Sequence, residues 1–271
     1  MMRPRAGLGV RLAGTPSDSV EAVAACGTGD VVGAVLSLSR ASATGDDAGY
    51  LDWHLHDHLP EQYRIAGLRH GARFVSTPAC RAARLTADDE LGPVDHVVSY
   101  LFAPPLAPAL DAFFGLGAAL RAAGRMPVGL PPVQLGGWSI EAMAAAPAAV
   151  VGAAVVPWRP STGILLILEH VEQRKEAAPG AASPEWAPLV SVPGVVGAWS
   201  LHGAPLHRRL ADTSGLEALM VYLDGPPVDV LASVAPILRA RWAAGQRVPR
   251  LVAPFHAVDP AAVDRHLPAA Q

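Results

Sequence analysis

The chain repeats itself. Tyr100-Leu101-Phe102-Ala103-Pro104-Pro105 returns as Tyr222-Leu223-Asp224-Gly225-Pro226-Pro227, and Arg125-Met126-Pro127 returns as Arg247-Val248-Pro249 at the same offset. In both copies an Ala/Leu-rich stretch with helical spacing lies between the two marks. Solenoid units run about 20–50 residues. A repeat this long predicts a duplicated domain instead, and copies that differ in their polar residues predict one working site.

Hydrophobic periodicity gives the same order of elements twice. Residues 29–40 form a short apolar, β-branched run, which predicts a buried strand. Residues 46–66 have helical spacing, with Leu51, Leu55 and Leu59 on one stripe and Gly67 as a stop. Strands are expected over residues 68–76, 95–102 and 133–140, with a helix over 105–123. The second copy offers strands at 163–169, 194–201, 216–223 and 250–256. Its helices fall around 184–190, shortened, and at 228–244. This β-α-β-β-α-β order is the ferredoxin-like unit, an α+β fold. Both helices of such a unit cover one sheet face and leave the other bare. Two tandem units packed sheet to sheet would form an intramolecular pseudo-dimer with a cavity between the sheets. The expected organisation is an N-terminal extension (1–28), a site-bearing first repeat (29–141), a connector (142–160) and a degenerate second repeat (161–271).

Composition narrows the partners. Half of the 271 residues are hydrophobic (51%) and 17% are charged, so a large core is expected. A net charge of -3 without a basic block argues against nucleic acid. Arg3, Arg5 and Arg11 precede no continuous apolar run, so residues 1–28 do not resemble a signal peptide. The uncharged stretch 142–158 holds Pro147 and Gly152 and falls short of the roughly 20 apolar residues of a membrane span. Cys26 and Cys80 lack metal-ligand spacing and read as free thiols of a cytoplasmic protein.

The densest chemistry is Asp52-Trp53-His54-Leu55-His56-Asp57-His58-Leu59-Pro60-Glu61. On a helix, His54 and His58 share a face with Tyr50, and His56 points nearly the opposite way. Glu61 returns to the His54/His58 face only if Pro60, which would clash with the carbonyl of His56, does not break the helix; a kink near Leu59 is expected. Three readings follow. Acid/base catalysis suits His, with its ordinary pKa of about 6.5 and a carboxylate to tune it. Metal binding is weaker, since only His54, His58 and Glu61 would make a permissible set. The third reading is a polar helix face with satisfied hydrogen bonds.

Here the residues resemble a known family. Asp52-Trp53, His58-Leu59-Pro60-Glu61, Gly67 and Gly71-Ala72-Arg73 are similar to the D-W-x(4)-H-x-P-E…G…R pattern of the dimeric α/β-barrel superfamily, closest to its EthD-like branch. The resemblance implies a pocket between sheet and helices with His58 pointing at the ligand. Members include cofactor-free oxygenases of polycyclic phenols, lactone isomerases, polyketide cyclases and haem enzymes. The second copy departs from the pattern: Pro184-Glu185 and Gly197-Ala198 survive, but Ala182 replaces the histidine and Trp199 stands where Arg73 would be.

Other motifs are absent or misplaced. There is no G-x-x-x-x-G-K-[ST] and no G-x-S-x-G. Gly7-Leu8-Gly9 and Gly115-Leu116-Gly117 do not make a dinucleotide loop. His170, His202, His207 and His256 are isolated, and Trp138, Trp199 and Phe255 read as core.

The expected function is therefore a cytoplasmic, cofactor-free enzyme acting on an apolar aromatic or polyketide-like small molecule, as an isomerase/cyclase or monooxygenase. His58 would be the acid/base, with His54 and Glu61 tuning it and Tyr50, Trp53, Tyr63 and Arg73 contacting substrate. Two alternatives stand beside it: a non-catalytic ligand-binding protein with solvent-exposed histidines, and a haem-binding barrel with an axial histidine. Further homodimerisation is compatible with the composition.

Overall fold

A computed structural model describes residues 31–126, 129–149, 151–171 and 186–268. The N-terminal extension, Cys26, Gly7-Leu8-Gly9, Ala182 and Pro184-Glu185 lie outside the described residues. The first half runs β1 (Gly33–Ser39), α1 (Asp47–Trp53), a π-helical turn (His54–His58), α2 (Leu59–Gln62), β2 (Leu68–Val75), α3 (Pro78–Ala82), β3 (Thr86–Ala87), β4 (His96–Phe102), α4 (Leu106–Ala122) and β5 (Pro132–Ala145). Two 3-10 turns, Pro147–Ala149 and Ala153–Trp158, lead into the second half. It runs β6 (Gly163–Val171), α5 (Ala187–Val190), β7 (Val195–Gly203), β8 (Leu216–Leu223), α6 (Pro227–Ala243) and β9 (Arg247–Ala257). No helix among the described residues is long and apolar enough to cross a membrane.

The strands form one antiparallel sheet in the order β2-β4-β1-β5-β7-β8-β6-β9, and β9 pairs back onto β2. Eight strands thus close into a barrel, with β3 added beside β9. The two halves meet edge to edge, not as two stacked sheets. Trp138 to Ala145 of β5 pair with Gly203 to Gly197 of β7 along one seam. Phe74 and Val75 of β2 pair with Ala257 and His256 of β9 along the other. The second seam is short, two residue pairs, against seven along the first.

Period-two alternation decides what each strand face meets. Ala34, Leu36 and Leu38 of β1 enter the large core cluster with Phe74, Leu101, Trp138, Trp199, Met220 and Phe255. Register places these side chains inside the barrel, where Trp199 lies opposite Met220 and Met143. Val35 of β1 and Val98, Tyr100 and Phe102 of β4 face outward into a second cluster with Leu59 of α2 and Ala109 and Leu110 of α4. Among the described residues, two tryptophans, a phenylalanine and branched aliphatics occupy much of the space between the two halves. Trp199 does not stand where an Arg73 counterpart would: it points into the barrel, with its indole N–H donating to the Ala153 carbonyl at 2.9 Å, whereas Arg73 pairs with outward-facing Val98. Trp138, Trp199 and Phe255 are fully buried.

Packing between β6, β9 and the start of α6 is tight enough to exclude a methyl group at Gly163. A Cβ there would meet the Phe255 carbonyl across the β6–β9 ladder and the Pro227 ring. Gly163→Ala is expected to lower unfolding stability by about 1–3 kcal/mol, as overpacking does. A urea titration followed by Trp fluorescence measures it.

Candidate functional site

The helical segment that carries the histidines is started by Asp46, whose carboxylate accepts the Gly49 N–H at 3.0 Å. It does not break at Pro60. The chain widens into the π turn, and the Leu59 N–H bonds to the His54 carbonyl five residues back. Pro60 has no N–H to give and falls in the first turn of α2. The added residue absorbs the proline without ending the helix, a use typical of π turns at functional sites.

This winding selects which side chains turn inward. His54 and His58 do, at 1% and 8% exposure. Glu61 does not. It pairs with Arg64 at 2.9 Å and with Arg125 at 3.0 Å on the outer surface, so it neither touches His58 nor completes a metal set. The extra π residue has rotated it off the histidine face. His56 bonds exposed Asp52 at 2.9 Å. Tyr63 is half exposed, and its hydroxyl donates to the Gly71 carbonyl and accepts the Gly71 N–H, both at 3.1 Å.

Between this helix, α4 and the outer face of β1, β2 and β4 lies a cavity of about 660 Å³. Tyr50, Trp53, His54, His58, Gln62, Arg73 and Tyr100 line it. The structure thus brings together five of the expected site residues and places Glu61 and Tyr63 elsewhere. His54 Nε2 lies 2.8 Å from the Tyr100 hydroxyl. The Gln62 side-chain amide lies 3.0 Å from His58 Nε2 and also reaches Tyr100. Trp53 stacks on the His58 ring at 4.9 Å and donates its indole N–H to the Arg125 carbonyl at 3.1 Å. Arg73 lies over the Tyr50 ring at 4.8 Å and donates to the Tyr50 hydroxyl at 3.4 Å. The Nδ1 atoms of both histidines are buried without a hydrogen-bond partner.

Electrostatics keeps both imidazoles neutral. Burial, then the Arg73 charge, holds His58 down at about 4 and His54 well below its ordinary value. Burial pushes the Tyr100 hydroxyl up, so it stays protonated near neutrality. Deeper on the same outer face of β4, His96 Nε2 lies 2.7 Å from Asp47 of α1. Burial opposes ionisation of Asp47, but its bonds to His96 and to the Ser42 N–H hold the carboxyl below its usual range. His96 is also lowered by burial, so the pair is a neutral imidazole donating to a carboxylate.

Tyr100, Gln62, His96 and Asp47 were not among the expected site residues. Two signals pointed to them: Gln62 stands four residues after His58, and His96 and Tyr100 alternate with Val98 on one face of β4. Tyr63 and His70 line a separate cavity of about 1010 Å³ at the β2–β9 seam, and Arg73 belongs to the walls of both.

A haem would need an imidazole nitrogen aimed into open space. Both Nε2 atoms are committed to Tyr100 and Gln62, and Trp53 covers the His58 ring. As placed, neither His54 nor His58 fits an axial ligand. Among the described residues no cluster of three or more His, Cys, Asp or Glu side chains is arranged to hold a metal.

No protein-family model matches the chain, and no curated protein matches it. Among solved structures, it is similar to a protein provisionally assigned as a chlorite dismutase, at a TM-score of 0.51 and 10% identity, over 86% of this chain and 97% of that one. An anthrone oxidase-like protein gives a TM-score of 0.39 at 13% identity, over 89% and 98% of the two chains. A Lactobacillus acidophilus NCFM protein provisionally assigned as a monooxygenase gives 0.39 at 10%, over 83% and 95%. At these identities the first likeness is one of fold, consistent with a dimeric α/β barrel.

The lowered histidines tie stability to pH. A chain that binds fewer protons folded than unfolded gains stability as pH rises. For His58 that window runs from about 4 up to its ordinary 6.5. The melting temperature is expected to be level above the upper value and to fall as pH drops towards the lower one. His58→Gln should shrink that fall in a calorimetric pH series.

Proposed function

We propose that the chain is a small-molecule enzyme of the dimeric α/β-barrel type, near the EthD-like branch, that moves a proton between His58 and an aromatic or polyketide-like substrate. The observation that carries this reading is the pair of buried, neutral imidazoles set beside a protonated Tyr100 in a cavity walled by aromatic rings. A polar helix face that merely meets water would leave His54 and His58 exposed, and they are not. On this reading the barrel arose by internal duplication: residues 29–141 carry the site, residues 142–160 connect, and residues 161–271 form a degenerate second repeat. The enzyme is cytoplasmic and needs no cofactor.

The chemistry follows from the contacts. With the Gln62 amide N–H donating to His58 Nε2, Nδ1 carries the proton and the Nε2 lone pair is the base, taken over from Gln62 as substrate enters. A substrate C–H acidified by a neighbouring carbonyl gives its proton to that atom, and the bonding electrons move onto the carbonyl oxygen. Arg73 and the Tyr100 hydroxyl, held by His54, face the charge that develops there. Return of the proton at another carbon isomerises the substrate. Attack of the carbanion on a second carbonyl closes a ring, and transfer of its electrons to dioxygen begins an oxygenation. Tyr50 and Trp53 hold the ring system; Glu61 and Tyr63 have no contact with it.

Deuterium uptake from D₂O at the acidic carbon of an anthrone-type ketone reads the first step directly. His58→Ala should slow it by about 10²–10⁴-fold, the usual range for a lost acid/base group. The rate should climb with pH through about 4, where His58 loses its proton, and then stay level towards neutrality. Full exchange in His58→Ala would sink the proposal and leave a ligand-binding protein.

A further inference from the structure

Every other arginine drawn into the packed regions described here finds a carboxylate. Arg81 and Arg84 share Asp95. Arg159 grips Asp224 through both terminal nitrogens. Arg241 and Arg247 meet Glu169 and Glu217 in the second half, and Arg250 bonds Asp88 and Glu90. Arg73 is the exception. It is 5% exposed, yet among the described residues it makes no ion pair, its Nε has no hydrogen-bond partner, and its one polar contact is the Tyr50 hydroxyl at 3.4 Å. A buried charge without a partner is strongly unfavourable, so such a group points to a partner that arrives from outside.

The cavity has the matching charge. Among the described residues, its wall holds three arginines, Arg73 at the floor and exposed Arg121 and Arg209 towards solvent, and no aspartate or glutamate. The buried carboxylate of Asp47 is already engaged by His96 and the Ser42 N–H. The two cavity histidines are neutral, so the buried charge to be matched is a single guanidinium. A monoanion balances it, whereas a phosphate dianion would leave a negative charge buried in turn. A planar carboxylate also fits the guanidinium fork, and Tyr50, Trp53, Phe113 and Phe114 offer faces and edges for a ring.

We propose that this cavity recognises an aromatic carboxylate, with the carboxylate seated on Arg73 and the ring among Tyr50, Trp53 and the two phenylalanines. The proposal rests on the acid/base reading of the same site and narrows its substrate class from apolar aromatics to aromatic acids. The exposed arginines draw the anion in. Once seated, its negative charge offsets Arg73, so the proton affinity of His58 rises and the base strengthens only when the ligand is present.

Calorimetric titration of the full chain near neutral pH with 2-naphthoate, 2-naphthamide and 2-naphthyl phosphate tests it. The carboxylate should bind at least tenfold more tightly than the amide and the phosphate. Arg73→Met should erase that preference and Arg73→Lys should keep part of it. By removing an unpaired buried charge, Arg73→Met should melt no lower than the parent; if it does not fold, the ligand preference of the parent decides alone. Saturation with 2-naphthoate should also raise the His58 imidazole titration seen by NMR above about 4. Equal binding of the amide, tighter binding of the phosphate, or no binding of the carboxylate overturns the proposal. An Arg73-dependent carboxylate preference together with full exchange in His58→Ala would keep this inference and remove the acid/base reading. Equal binding of the amide together with lost exchange would do the reverse.

Discussion

The backbone ladders at the two seams hold the architecture together. A four-stranded antiparallel sheet with helices on one face has two open edges and one bare face. Joining β5 to β7 along a full ladder and β9 to β2 at two residue pairs closes the strands into a barrel and turns the bare faces inward. Interior residues therefore have one task, to fill a fixed volume, and Trp138, Trp199 and Phe255 fill it. With these side chains filling the middle of the barrel, the histidine site lies in the outer layer, where helices lie on the sheet and can stand off from it.

The two halves use that outer layer in opposite ways. In the second half it is sealed: Glu169 accepts from Trp242 and Arg241, Arg247 joins Glu169 to Glu217, and Trp186 stacks beneath Arg241. Charge is balanced there, and α6 packs on the sheet through Val230, Leu231, Val234 and Leu238. In the first half, α4 and the histidine helix leave a gap over Ser37, Arg73 and Tyr100, and the charge in it is unbalanced. The same arrangement of strands thus supports a structural cluster on one side and a receptive cavity on the other.

Much of the fold was legible because strand and helix periods are local properties. The run of β6 and the Leu51/Leu55/Leu59 stripe announce themselves within a few residues. The short β3, with only two residues, and the extension of β5 to Ala145 did not, since both are defined by partners distant in sequence. The site was half legible. Tyr50, His54 and His58 share a face by simple helical geometry, and Trp53 and Arg73 follow from the family pattern. Glu61 was misplaced because its return to the histidine face was weighed only against a break at Pro60, whereas the backbone continues and adds a π residue, and Tyr63 because its hydroxyl finds Gly71. Tyr100 comes from a strand 46 residues beyond His54, a pairing that no local spacing encodes.

The π turn also constrains how this protein can change. His54 to His58 occupy one wide turn, and every side chain after it takes its direction from that count. Losing one residue would rewind the segment as α-helix and swing the following positions by about 100°, carrying Gln62 away from His58 and Pro60 into a carbonyl. Substitutions in this segment can be absorbed one at a time, but a change in its length cannot. Homologous chains that keep the cavity should therefore vary freely in the surrounding loops while holding the interval from Asp46 to Gln62 to the residue.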